Sequence, residues 1–157
     1  MVVLSAVAML SSCLGNDDDD VDNSYTYYND AGIVSFSLGT MKQYRDTVAK
    51  DGSDSTYFVH IVGKSFPFVI DHVKGQIYNP DSLPFRTDVS RVVVTATTRN
   101  SALIYIKRLP SDTLGINKDS LVRYDATDSL DLRQSRVFRC LSLDGTGWRK
   151  YDVKVNV

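Results

Sequence analysis

Cysteine, histidine and the carboxylates are the residues of this 157-residue chain that could ligate or react, and each set has an unusual distribution. Cysteine occurs at Cys13 and Cys140, histidine at His60 and His72, and all nineteen acids are Asp. Cys13 closes the step Leu10-Ser11-Ser12-Cys13 at the end of an apolar run, just before Asn16-Asp17-Asp18-Asp19-Asp20. An apolar stretch ending in small residues is a secretory cleavage signal. Cleavage there would leave Cys13 as the first residue, and acylation is the chemistry open to it. Zinc takes three or four ligands, and His, Cys and Glu are too scarce and scattered here to build such a site, so no metal or other cofactor is expected. Asp17 to Asp20 with Asp22 lacks the spacing, central Gly and closing Glu of a calcium loop. Glycoside chemistry needs two carboxylates, one with a raised pKa; Asp71 and Asp81 flank an irregular loop, but turn capping explains both. There is no Gly-x-Ser-x-Gly elbow, and the chain is expected to be noncatalytic.

Aromatic side chains offer another chemistry, since a ring has a flat apolar face and Trp or Tyr adds a polar handle. Trp148, beside the turn Asp144-Gly145-Thr146-Gly147, is the first candidate for a sugar-stacking platform, with Tyr124 and Tyr78 behind it. Trp148 is equally placed to cap the end of a sandwich. Cys140 shares a face with Phe138 in the alternation Phe138-Arg139-Cys140-Leu141, which makes it a buried small hydrophobe. With Cys13 acylated it has no disulfide partner.

The elements that must position these groups are strands. Asp favours turns and caps, whereas Glu suits helix interiors, so an all-Asp chain rich in Thr, Val, Ser and Tyr is written for strands and turns. The runs Ile33 to Leu38, Thr56 to Val62, Phe66 to Ile70, Gln76 to Tyr78, Arg91 to Thr97 and Ala102 to Lys107 read as strands. In the first, Val34, Phe36 and Leu38 are expected on one face. Gly39-Thr40 is expected to turn into Met41 to Arg45, and Pro67 marks an edge strand or a bulge. Arg136 to Leu143 and Trp148 to Val157 form a hairpin about Asp144-Gly145. Its second strand sets Tyr151, Val153, Val155 and Val157 against Lys150, Asp152, Lys154 and Asn156, as in a sheet with one wet face. Leu109 to Asp131 carries the weakest pattern. These observations predict an all-β, Ig-like antiparallel β-sandwich of about seven to nine strands.

Charge divides the chain further. Six Asp and no cation precede residue 31, and from there eighteen Lys and Arg face thirteen Asp, so a net charge of −1 hides an acidic leash on a mildly basic body. Such a body either attracts anionic glycans or lipid head groups or carries scattered, solvated cations. No polybasic block with interleaved aromatics points to nucleic acid. The expected organisation is a signal peptide over 1–12, an acidic tether over 13–30 and the sandwich over 31–157. Tyr25, Tyr27 and Tyr28 could pin the tether to the body or form a first edge strand. The usual basic start of a signal peptide is missing, which places the true start upstream of Met1.

Leu10-Ser11-Ser12-Cys13 resembles the lipobox of bacterial lipoproteins, and Asp17, Asp18, Asp19 and Asp20 resemble the export signal of Bacteroidota surface lipoproteins. The cadence of Asp131-Leu132, Phe138-Arg139-Cys140, Asp144-Gly145 and Tyr151-Asp152-Val153-Lys154-Val155 resembles the closing hairpin of bacterial Ig-like domains. Ser35 to Thr40, Phe68 to Asp71, Gly75 to Asn79, Asp81 to Pro84 and Thr87 to Val89 together resemble an N-terminal domain of unknown function in Bacteroidota lipoproteins. A kelch-like or galactose-oxidase-like propeller follows in many of those proteins; this chain stops at Val157, with the propeller absent. The resemblance implies a lipid-anchored, surface-exposed outer-membrane protein and no catalytic residues. The expected role is an interaction or spacer module that meets the membrane through its lipid and docks a protein partner. The alternative is a glycan-binding protein beside a polysaccharide-uptake system.

Overall fold

The computed structural model describes residues 30–109 and 121–157. The expected signal peptide, Cys13 and nearly all of the acidic tether lie outside the described residues. Twelve strands are found among them: β1 Ile33–Leu38, β2 Thr40–Val48, β3 Asp54–Val62, β4 Val69–Asp71, β5 Gln76–Tyr78, β6 Thr87–Asp88, β7 Val92–Thr98, β8 Leu103–Lys107, β9 Leu121–Arg123, β10 Ser129–Leu130, β11 Arg136–Leu141 and β12 Trp148–Lys154. The chain is an all-β sandwich, as its composition demands. The count exceeds the expected seven to nine because several strands, such as β6 and β10, are only two residues long.

One layer is a six-stranded sheet in the order β4-β5-β12-β11-β8-β9; facing it is the sheet β1-β7-β10. A third sheet, β3-β2-β6, extends from the second layer. Pairing is antiparallel except between β12 and β5, which run parallel. The core forms where the two layers meet. Phe138 of β11 touches Phe36 of β1 (5.9 Å between ring centroids), and Phe36 touches Phe68 (4.9 Å). Phe138, Ile33, Leu38, Val92, Val94, Ile106 and Val153 are buried around them. Each such side chain contributes roughly 1.5–3 kcal/mol relative to exposure.

Two local departures from the expected pattern have clear causes. In β1 a register shift between Ile33 and Ser35 changes the phase of the strand. Ile33 therefore enters the core and Val34 faces water. Met41 to Arg45, which follows the expected Gly39-Thr40 turn, belongs together with Thr40 to the nine-residue β2, paired residue for residue with β3 from Thr40↔Val62 to Val48↔Asp54. Its polar spelling hid the strand because both faces of most of this hairpin are exposed. Only Met41 at its base is buried, with Ile61 partly buried against the core.

The hairpin leaves the sandwich at a glycine crossing. The Gly39 amide donates to the Val93 carbonyl (2.8 Å), and the Gly63 amide donates to the Gly39 carbonyl (3.0 Å). A Cβ on Gly63 would lie 2.4 Å from the Gly39 oxygen and 2.6 Å from the Leu38 Cβ. The close approach excludes any side chain. Gly63→Ala is therefore expected to lower unfolding stability by about 1–3 kcal/mol. The check is a urea titration, and an unchanged midpoint would show that the crossing opens freely.

Candidate interaction surfaces

Most of the carboxylates serve the backbone. The Asp71 side chain accepts from the amides of Val73 (3.0 Å) and Lys74 (2.9 Å), capping the turn before β5. The Asp81 carboxylate makes no hydrogen bond among the described residues; instead its backbone carbonyl accepts from the buried Asn79 amide group at 2.8 Å. Asp144 holds the β11–β12 turn through Ser142 and Thr146. The Ser142 hydroxyl, followed by the Thr146 hydroxyl and amide, brings the Asp144 pKa down to about 2. Asp51 is lowered by Ser53 and Asp88 by Ser90, while Asp125 is lowered by Thr127. Among the described residues no cluster of three His, Cys or Asp could hold a metal ion.

The histidines lie in different places. His72 Nδ1 is 2.8 Å from the hydroxyl of Tyr151, which is fully buried. His60 lies on the hairpin, edge-on to Phe58 at 5.4 Å. Cys140 is buried, and loss of solvation pushes its thiol up to about 12.

The three platform candidates separate. Tyr124 belongs to the core: its hydroxyl accepts from the Val94 amide (2.9 Å) and donates to the Val94 carbonyl (2.8 Å). Its ring packs on Phe138 at 5.9 Å, so it offers no face for stacking. Burial drives its pKa up to about 12. Tyr78 is half-buried on β5, opposite Lys154, beside a cleft of about 370 Å³ lined also by Gln76, Asp152 and Asn156. Trp148 is 54% exposed and begins β12. Its ring lies 5.7 Å from Tyr105 of β8, tilted by 56°, so the two rings form a shallow V instead of a coplanar platform. Trp148 and Tyr78 share the outer face of the sheet, since alternate residues of β12 point outward with them, but six residues or roughly 20 Å of strand separate them.

Tyr105 is the partner that sequence reasoning missed. Alternation in β8 placed it opposite Ile104 and Ile106, but its meeting with Trp148 depends on β11 lying between their strands.

A second exposed cluster lies on the hairpin. Tyr44 and Phe58 are directly opposite in the register, with an edge contact at 6.4 Å. The Lys42 ammonium stands 4.5 Å above the Phe58 ring, which is 47% exposed. β6 supports this cluster from the other side of β2. Arg86, in the left-handed region at φ 62°, presents its carbonyl to the Tyr44 amide (3.1 Å) and its guanidinium to Asp46 (2.5 Å). That pairing lowers the Asp46 pKa. Cys13 and Asp17 to Asp20 lie outside the described residues.

Residues 36–155 match a family described as "Domain of unknown function (DUF6242) N-terminal domain". No curated protein and no solved structure matches the chain.

Two outcomes follow from these environments. Asp46, Asp51, Asp88, Asp125 and Asp144 all hold protons less tightly when folded than at the ordinary value of 3.8. Between that value and about 2, reached by Asp144, the unfolded chain binds more protons, so stability is lost as pH is lowered through this window. Melting temperature should change little from about pH 7 to about pH 5 on account of these groups and drop below about pH 4; a rise on acidification would contradict the assignment. In a Cys13→Ser chain, a thiol reagent should label Cys140 only after denaturant is added, as mass spectrometry can read.

Proposed function

The chain belongs to the family of DUF6242 N-terminal domains, and on that premise we propose that it is a noncatalytic module, anchored to the outer membrane through an acylated Cys13, that docks a protein partner at the cell surface. The observation that carries this reading is the β2–β3 hairpin. Its nine-residue strands extend beyond the core and expose aromatic and aliphatic side chains on both faces, including Phe58 and Tyr57.

The hairpin also offers backbone. The Tyr44 amide bonds to Arg86 on the β6 side, whereas the Ala49 amide bonds to Ser53 and the Gly63 amide to Gly39. In an antiparallel pair these directions alternate. Opposite Tyr44, Phe58 therefore turns its N–H and C=O away from β2, as do Thr56 and His60. No strand pairs with that edge among the described residues. An uncovered edge of this length is a template for strand addition. An extended partner segment would gain main-chain hydrogen bonds there and specificity from alternate side-chain contacts. The acidic run Asp17 to Asp20 acts as the export signal and self-repelling leash that holds the body clear of the lipid. Two acyl signals or more give stable anchoring, which a lipoprotein modification supplies.

The turn residues Asp51, Asp88, Asp125 and Asp144 have pKa values displaced downward, the opposite of what a general acid needs, which favours a noncatalytic role. The test uses membranes of cells producing the full chain. Cys13→Ala should move the protein from the membrane to the soluble fraction. Tyr44→Ser/Phe58→Ser should lower stability by no more than about 1 kcal/mol yet abolish a larger complex on native gels. If wild type and the hairpin variant both migrate as free monomers, protein docking is wrong. If Cys13→Ala stays membrane-bound, lipid anchoring is wrong.

A further inference from the structure

We propose that the outer face of the six-stranded sheet binds an acidic polysaccharide. The strand registers set Arg123 opposite Tyr105, Tyr105 opposite Arg139, and Arg139 opposite Lys150. These four side chains form one row across β9, β8, β11 and β12, and the row contains no acid. Directly opposed like charges destabilise a sheet, and Arg139 faces Lys150 with only Asp152, 3.3 Å from the Lys150 ammonium, to offset them. Arg139 is exposed and forms no ion pair among the described residues, while the exposed Arg123 has only the neighbouring Asp125 to offset it. An anionic ligand would relieve the direct opposition of Arg139 and Lys150.

The rings decide which anion. Trp148 and Tyr105 lie in contact over β11, within the cationic row and its neighbour. The exposed face of Trp148, with the part-buried Tyr105 tilted beside it, suits the C–H face of a sugar ring, while a guanidinium binds a carboxylate or sulfate oxygen pair in the same plane. Farther along β12 come Lys154 and the cleft beside Tyr78, on the same outer face. A charged chain laid along β12 thus meets rings and cations at one end and a lysine and a cleft at the other. This span of roughly 20 Å fits a polymer better than a single sugar. The inference does not rest on hairpin docking, so the hairpin variant serves as its control.

The experiment is native affinity electrophoresis of the full chain in gels containing polygalacturonate, dextran sulfate or uncharged dextran. Retardation by at least one acidic polymer, and not by dextran, is expected. Arg139→Gln/Lys150→Gln should weaken that binding about tenfold, and Trp148→Ala about threefold, with melting temperatures near wild type. Tyr44→Ser/Phe58→Ser should bind as wild type does. Absence of retardation overturns the proposal, as does equal retardation in dextran. Undiminished binding by Trp148→Ala would reduce the face to bare charge attraction and overturns it too. So would equal or tighter binding to phosphatidylglycerol vesicles or to a thymidine oligonucleotide.

Discussion

The two layers, joined by their apolar core, are fixed in their stacking by two buried hydroxyl groups, each rooted on the side of one sheet and bonded to the backbone of the other. Tyr151 of β12 is fully buried, and its hydroxyl accepts from the Ile33 amide of β1 at 3.3 Å. The same oxygen meets His72 Nδ1 and the Arg149 side chain. Tyr124, following β9, bonds to both the amide and the carbonyl of Val94 in β7. A buried polar group left without a partner costs roughly 1–3 kcal/mol. Sliding one layer over the other would strand both hydroxyls at once, so the pair defines how the sheets are stacked in addition to how tightly.

That stacking decides what is left for solvent. Once Tyr151 and Val153 face inward, Trp148, Lys150, Asp152 and Lys154 must face outward. Likewise Phe138 and Cys140 inward put Arg139 outward, and Ile104 and Ile106 inward put Tyr105 outward. The cation–aromatic row is thus the complement of the core. Its mutual repulsion is offset by the burial of Ile104, Ile106, Phe138, Cys140, Tyr151 and Val153 on the inner face of the same strands. The hairpin obeys the opposite logic. Lacking a second layer over most of its length, it is held by the pairing of β2 with β3 and β6, by the Gly39–Gly63 crossing and by the Arg86–Asp46 bridge just before β6.

The N-terminal end of the sandwich is also anchored electrostatically. Asp30 lies between Arg99 (2.7 Å) and Arg149 (3.8 Å), and its carboxylate accepts from the Gly32 amide at 3.0 Å. Partial burial pushes its pKa up, but the Gly32 hydrogen bond and the two guanidinium groups outweigh it, and the net shift is downward. The first described acid of the chain is thereby tied into the body beside Tyr151. At the other terminus the fully buried Asn79 does similar work: its side chain accepts from the Asn156 amide and donates to the Asn156 carbonyl, both at 2.8 Å.

The sequence by itself determined the all-β class, the β11–β12 hairpin, the inward face of β12, the burial of Cys140 and the capping role of Asp71, because alternation and turn chemistry are local. It also spelled out Leu10-Ser11-Ser12-Cys13 and the acidic run, on which the anchoring proposal rests. Local pattern failed where the environment was not two-sided: the exposed β2 carries no alternation, and the irregular register in β1 moved Val34 outward. Tyr124 looked like any polar aromatic until the opposite sheet supplied Val94 as its partner. Only the tertiary structure decided that Trp148 meets Tyr105 and that Arg139 faces Lys150. These neighbours lie on different strands, up to 43 residues apart in the chain for Tyr105 and Trp148, and sheet order and register arise from packing of the whole core.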